Sequence, residues 1–194
     1  VSVVVDITMS LDGYVTAPGA DAEHGLGVGG EALHDWAFAE DGPDQEILAA
    51  GVERTGAVVM GRRTFDIVDV AWDDDVGYGA GHAAQPPCFV VTHTHPESIR
   101  LVDRFTVVTD GIESALEQAR GVAGDKDVVV MGGGDICGQV LAAGLADLLS
   151  LHVAPLVLGG GTPLFVEGSR IELEWEQTVT TPHATHVQYA VKRD

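Results

Sequence analysis

The sequence predicts an α/β fold: a mixed, mostly parallel sheet with helices on both faces and an antiparallel pair of strands at its end. Three observations carry this expectation. Apolar, β-branched runs alternate with segments of helical periodicity along most of the 194 residues. Two of those runs end directly in glycine and a helix start, at Met60-Gly61 and at Met131-Gly132-Gly133-Gly134. Near the end of the chain, His186-Val187-Gln188-Tyr189-Ala190-Val191 alternates in the way of an antiparallel strand.

The elements follow in order. Residues 3–7 read as a first strand, and Asp12-Gly13 as the turn after it. Residues 25–30 are glycine-rich loop, and 31–38 a short helix with Leu33, Trp36 and Ala37 on one side. Asp44 is placed to cap a second helix that runs to about Arg54. A buried strand at 57–60 leads into a helix over 63–68, and 69–85 reads as a long loop. The acidic run Asp73-Asp74-Asp75 in that loop is expected to be solvated, and Pro86-Pro87 closes it. Strands at 88–92 and 105–109 precede a helix over 112–119 that turns Leu116 and Ala119 inward. A strand at 128–131, a helix at 136–142, a strand at 148–153 and the closing pair 172–179 and 185–191 complete the chain. Length and the absence of internal repeats predict one domain over 1–194.

Charge narrows the partners. Ten basic against 30 acidic residues give a formal net charge of −20. A surface of that sign repels phosphate backbones and anionic lipid, so neither nucleic acid nor membrane is expected as a partner, and a small molecule is. The acidity reads either as a well-solvated surface or as adaptation to high salt. Cys88 and Cys137 lie far apart with no metal-binding spacing, which suits buried thiols in a reducing compartment. The first residues lack a basic start, and no run approaches the roughly 18 apolar residues of a membrane span, so a cytoplasmic location is expected. His93-x-His95 has no evident third ligand, and no metal is expected.

The glycine junctions carry the chemistry. Gly61-Arg62-Arg63-Thr64-Phe65 places two of the eight arginines beside a hydroxyl at a helix start, the position best equipped here to hold a phosphate. Gly132-Gly133-Gly134 costs conformational entropy after a buried strand, which suits close approach of a ligand to the backbone. Both would lie at the carboxyl ends of strands in one sheet, where open α/β sheets bind ligands.

These residues support a resemblance. Gly61-Arg62-Arg63-Thr64-Phe65 resembles the glycine-arginine-threonine-aromatic motif of dihydrofolate reductases, and Gly132-Gly133-Gly134 resembles their second glycine motif. The segment Met9-Ser10-Leu11-Asp12-Gly13-Tyr14-Val15 looks like the strand and loop that cover their nicotinamide. The run from Pro155 through Gly159-Gly160-Gly161 to Phe165 resembles the riboflavin-pathway reductase C-terminal domain, and Val90-Val91-Thr92-His93 is typical of its stand-alone members. The resemblance spans roughly residues 3–191.

It implies a three-layer dihydrofolate reductase-like fold and an NADPH-dependent reductase. Such an enzyme would pass a hydride to a C=N or C=O carbon of a pteridine, a diaminopyrimidine or a ribosylamino-pyrimidine. Carried over, Gly61, Arg62, Arg63 and Thr64 would bind the diphosphate and 2′-phosphate of NADPH. Thr92, His93 and Thr94 would line the adenosine. Gly132, Gly133, Gly134, Asp135 and Ile136 would wrap the diphosphate, with a cis bond at Gly132-Gly133. Backbone near Ile7 and Thr8 would meet the nicotinamide. For the substrate carboxylate the resemblance offers Asp44, Glu46 or Asp35, and spacing does not choose among them; Asp12 is a further catalytic candidate. Trp36 reads either as a pocket-lining residue or as core. Met131 stands where the riboflavin-pathway reductases place a Glu, and residues 31–40 hold no arginine or lysine for a ribose phosphate. His152 is expected to be satisfied inside, with His183 and His186 exposed at the last turn. Relatives imply a homodimer, for which the apolar segment 154–158 offers an edge. The alternative to an enzyme is a dinucleotide-binding module without turnover.

Overall fold

The structure, a computed structural model, describes residues 1–21, 23–40, 42–71, 86–100 and 103–192. The strands are β1 Val3–Ser10, β2 Tyr14–Thr16, β3 Thr55–Gly61, β4 Cys88–Val91, β5 Phe105–Val108, β6 Asp127–Val130, β7 Leu148–Ala154, β8 Thr162–Pro163, β9 Leu173–Thr180 and β10 Thr185–Val191. The helices are α1 Pro43–Arg54, α2 Arg62–Asp66, α3 Ile112–Val122 and α4 Gly134–Ala142.

Eight strands form one sheet in the order β5-β4-β3-β6-β1-β7-β10-β9. All pairs from β5 to β7 are parallel, and β10 joins β7 and β9 antiparallel. The fold is therefore the mixed, mostly parallel α/β architecture that the strand–helix alternation predicts, closed by an antiparallel pair. Near-continuous valine in β1, β3 and β6 follows from burial on both faces. One face packs Val3, Val5, Val59 and Val130 against Leu116 of α3 and Ile136 and Val140 of α4. The other packs Val58, Met60 and Val90 against Phe65, which meets Phe105 edge-on at 5.0 Å. Both cysteines are buried and free, and burial raises the Cys88 thiol to about 11.

Several local expectations change. The early helix is a single tight turn, Glu31–His34, although Leu33 and Trp36 are buried as predicted. Gly42, at φ +95°, caps α1, and Pro43 takes the first helical position, so Asp44 sits inside the first turn instead of capping it. Helix α2 ends early and widens into a π-type turn over Ile67–Ala71. A two-stranded ribbon, β2 with β8, stands apart from the main sheet and was not legible as strand. The run Asp73-Asp74-Asp75 lies outside the described residues.

Candidate active site

The two glycine junctions meet. Strands β3 and β6 are parallel neighbours, so Gly61 and the Gly132–Gly134 turn leave the sheet side by side at its carboxyl edge. A Cβ on Gly132 would come within 2.6 Å of both the Thr64 hydroxyl and methyl, so α2 and the β6–α4 turn touch there. A Cβ on Gly61 would lie 3.7 Å from the Ile136 side chain across the same gap. Gly132 has φ +101°, and all peptide bonds of the described residues are trans. The expected cis bond at Gly132-Gly133 is thus absent; the left-handed Gly132 makes the turn in its place. Gly134 is glycine for packing: a Cβ would lie 2.7 Å from the Pro163 carbonyl and 2.8 Å from Val15.

The third strand end joins them. Arg62 donates from Nε to Asp66 at 2.6 Å and from Nη1 to the Thr94 carbonyl at 3.3 Å. Thr92 donates its hydroxyl to that same carbonyl at 2.9 Å, which folds the 92–94 turn, and His93 is exposed beside it. Arg62, Thr94 and residues 95–98 line an open groove of about 460 Å³. Arg63 is 60% exposed and only loosely paired, its Nη1 lying 3.8 Å from Asp135. No side chain caps the N-terminus of α4, which leaves its first N–H groups and positive dipole end toward the turn. An exposed arginine, a side-chain-free glycine turn and an uncapped helix suit a dinucleotide phosphate, so these residues fit NADPH.

Beside this edge, a cavity of about 240 Å³ opens between α1 and the sheet. Its walls include Met131, the residue before the glycine turn, with Asp6, Trp36, Ser150, His152 and Gln188. Trp36 is both of the things its sequence context suggests. It is 5% exposed, lines the cavity, and donates its indole N–H to the Thr8 hydroxyl at 3.0 Å. Its ring stacks on His152 with centroids 4.2 Å apart.

Asp44 lies at the far end of a buried chain. Its Oδ1 accepts from the Thr181 hydroxyl and lies 2.8 Å from His186 Nε2, while its Oδ2 lies 2.8 Å from His183 Nδ1. His186 Nδ1 is 2.7 Å from His152 Nδ1, and His152 Nε2 is 3.1 Å from Asp6 Oδ1. Burial alone would raise the Asp44 carboxyl, yet the bonds from His183, His186 and Thr181 outweigh it and hold it below the ordinary range. Burial lowers His186, against the pull of Asp44, and so favours its neutral form. His186 is buried, not exposed as its place near the turn suggests, whereas His183 is exposed as expected although bonded to Asp44; His152 is satisfied inside as expected. Asp6 and its link to these histidines went unrecognised in the sequence.

Asp12 has other work. Its Oδ1 accepts from the Ser10 hydroxyl and the Leu158 N–H, and its Oδ2 from the Gly159 N–H at 2.7 Å. Those bonds clasp two loops together, and Asp12 is not among the residues that line the cavity.

Comparison with known proteins shows the family. Residues 1–189 match the RibD C-terminal domain. The chain belongs to that family. Among its RibD-type relatives, a putative riboflavin biosynthesis protein from Shewanella sp. PV-4 has a solved structure that matches with a TM-score of 0.74 and 26% identity, covering 100% of both chains. The uncharacterized protein YyaP of Bacillus subtilis (strain 168) is 22% identical over 92% of this chain and 88% of its own length. Dihydrofolate reductase from Enterococcus faecalis, solved with NADP(H) and RAB-propyl, matches with a TM-score of 0.63 at 14% identity, covering 99% of this chain and 97% of the other. That last likeness shows the dihydrofolate reductase-like fold. Family and fold together point to an oxidoreductase of the RibD reductase type. Among the described residues no helix is long and apolar enough to cross a membrane.

Proposed function

We propose that the chain is an NADPH-dependent reductase that passes a hydride to a C=N or C=O carbon of a small heterocycle, a pteridine or an aminopyrimidine. The observation that carries this reading is the contact of Thr64 with Gly132, which brings both glycine junctions to one edge directly beside the Met131 wall of the cavity. NADPH supplies the hydride when bound. Arg63 and the uncapped α4 would hold its phosphates, Arg62 and the 92–94 turn its adenosine end, and Gly132–Ile136 its diphosphate. Thr8, fixed by Trp36, would set the floor on which nicotinamide and substrate meet.

The cavity favours an unphosphorylated ring. Among the described residues the charged groups on its walls are Asp6, Arg54 and Asp127, and Arg54 is already paired with Asp127 at 3.0 Å. The test is to mix the protein with NADPH and, in turn, dihydrofolate, aminopyrimidines and the ribosylamino-pyrimidine, and to follow loss of reduced-nicotinamide absorbance. Oxidation with any of these ring systems supports the reading.

Binding of NADPH with no oxidation across the panel would favour the second reading, a dinucleotide-binding module without turnover. The saturation of Asp44 by three donors is what speaks for it. For assembly we propose a homodimer through the 154–158 segment, where Val157 is 67% exposed. Light scattering that gives a monomer at micromolar concentration rejects that arrangement.

A further inference from the structure

We propose that the cavity holds an uncharged, hydroxyl-bearing substituent of its ligand, a polyol or sugar without phosphate, laid across the sheet on a row of polar side chains. The row is Asp6, Ser150, Gln188 and Gln177, and strand register makes it. Asp6 of β1 pairs with Ser150 of β7, Ser150 with Gln188 of β10, and Gln188 with Gln177 of β9. The four residues therefore stand side by side on adjacent strands, about 4.8 Å from one to the next, and all four line the cavity beneath α1. On the other side of Asp6 comes Met131, one step past the pair Val5 and Val130 in the register of β1 with β6. One end of the row thus lies at the residue before the glycine turn. The other lies at the exposed Gln177 on the edge strand of the sheet.

The rows to either side have little to offer a ligand. Toward the carboxyl edge, Thr8, His152 and His186 are buried and spend their polar atoms on Trp36, Asp6, Asp44 and one another. Toward the amino edge the same register continues with Val4, Leu148 and Ala190, which are apolar. Between them the polar row is only partly used. Asp6 engages His152 through Oδ1 alone, and Gln188 Oε1 accepts from Gln177 Nε2 at 2.8 Å. Among the described residues, Asp6 Oδ2, the Ser150 hydroxyl and Gln188 Nε2 have no hydrogen-bond partner in the protein. A ligand that displaces water from these atoms must bring partners for them, because polar groups dried without one are costly.

The order of those atoms selects the chemistry. From β1 to β10 they are an acceptor, a hydroxyl that both donates and accepts, and a donor. Hydroxyl groups donate and accept, so a run of hydroxyl-bearing carbons satisfies all three. An alkyl chain satisfies none. A phosphate or carboxylate brings acceptors only and meets Asp6, while Arg54, the cation on the described wall, is held by Asp127. Above the row there is depth for such a chain: α1 presents Gly51 to the cavity, where a Cβ would meet nothing within 4 Å. The inference rests on the reductase reading only for the ring that carries the substituent.

The probes are three pterins with one ring and different substituents: neopterin, with its trihydroxypropyl chain, 6-methylpterin, and the 3′-phosphate of neopterin. Each is titrated into the full chain and followed by its own fluorescence. Neopterin should bind about tenfold more tightly than 6-methylpterin, or better, as two or three neutral hydrogen bonds allow. The phosphate ester should bind no more tightly than neopterin. In amide NMR spectra the side-chain NH2 signals of Gln177 and Gln188 should shift with neopterin and stay in place with 6-methylpterin. Ser150→Ala combined with Gln188→Leu should bring neopterin down to the level of 6-methylpterin and leave 6-methylpterin and NADPH binding as they are.

Equal affinity for neopterin and 6-methylpterin in the unsubstituted protein overturns the inference, and needs no variant to fold. A phosphate ester that binds more tightly than neopterin overturns it as well, as does no binding of neopterin at millimolar concentration. A preference for neopterin without NADPH oxidation by any ring would sink the reductase reading and leave the polar row standing. NADPH oxidation with no preference between the two substituents would do the reverse.

Discussion

Thr64 lies so close to Gly132 that its hydroxyl and methyl both come within 2.6 Å of where a Cβ would be, and its own Cβ within 2.9 Å. The contact joins the first turn of α2 to the end of β6, two segments nearly seventy residues apart in sequence, and makes one continuous edge from two motifs. Thr64 is short, branched at Cβ and 7% exposed, so it has no rotamer that vacates the space.

Gly132→Ala should therefore fail twice, through the contact and through φ +101°. The expected cost is about 1–3 kcal/mol of stability, together with loss of measurable NADPH affinity. Gly133→Ala is the control: its Cβ would meet only the Thr64 hydroxyl at 3.5 Å, and its φ of −78° suits alanine. Thermal denaturation and cofactor titration of the two variants check this. Equal losses in both would mean that the turn is not built around Thr64.

The two arginines should separate. Arg63 is loosely held, so Arg63→Ala should weaken NADPH by about 1.5–3 kcal/mol, a charge-assisted bond to phosphate, and leave NADH nearly unchanged. Arg62 also fastens the Thr94 carbonyl, so Arg62→Ala should loosen the 92–94 turn and weaken both cofactors. Competition binding with the two nucleotides distinguishes them. An Arg63→Ala variant that loses both alike would show that this side chain does not read the 2′-phosphate.

Much of that edge was legible in the sequence because its signals are local. Gly61 to Phe65 and Gly132 to Ile136 each combine a strand end, glycine and a helix start within a few residues, and the parallel pairing of β3 with β6 does the rest. The Asp6–His152–His186 chain was not legible, because it is assembled by register. Thr8 pairs with His152 across β1 and β7, and His152 with His186 across β7 and β10, and Asp6 and His152 are 146 positions apart in sequence. Singly, each histidine reads as an inner or a surface residue. The signal available was Asp6 itself, a carboxylate between Val3-Val4-Val5 and Ile7. Asp44 misled for a different reason: Gly42 and Pro43 already start the helix, which frees Asp44 to face the β9–β10 turn.

Acid should unfold the protein in two stages. His34 and His186 have lowered pKa values, chiefly from burial, so the unfolded chain takes up protons first as pH falls. Their contribution is complete above the unfolded value of about 6.5 and is lost as pH falls through their folded values. Asp44 is also lowered, its bonds to His183, His186 and Thr181 outweighing burial, so its contribution stands above about 3.9 and is lost below that. Denaturant midpoints between pH 8 and 3 (about five points suffice to define both stages) should fall monotonically. His186→Phe should flatten the upper stage, and an unchanged profile would show that His186 is not the group that resists protonation.

Asp12 should behave as a clasp, and its removal should be felt in the loops and not in the core. Its two oxygens hold the Leu158 and Gly159 N–H groups and the Ser10 hydroxyl, while Leu11 N–H reaches the Leu156 carbonyl at 2.8 Å. The turn at 11–13 is thereby tied to the turn after β7, beside the β2–β8 ribbon whose Pro163 carbonyl and Val15 methyl occupy the space a Cβ on Gly134 would need. Because Gly134 begins α4, slack in the clasp should reach the cofactor edge. In Asp12→Ala the amides of Leu158 and Gly159 should exchange hydrogen faster by about tenfold or more, with NADPH affinity reduced and the melting temperature little changed, since the carboxylate is exposed. Asp12→Asn keeps one carbonyl acceptor and should fall between the two. If Asp12→Ala abolishes turnover while loop exchange and NADPH affinity stay as they are, the clasp explanation fails and Asp12 belongs with the reacting groups.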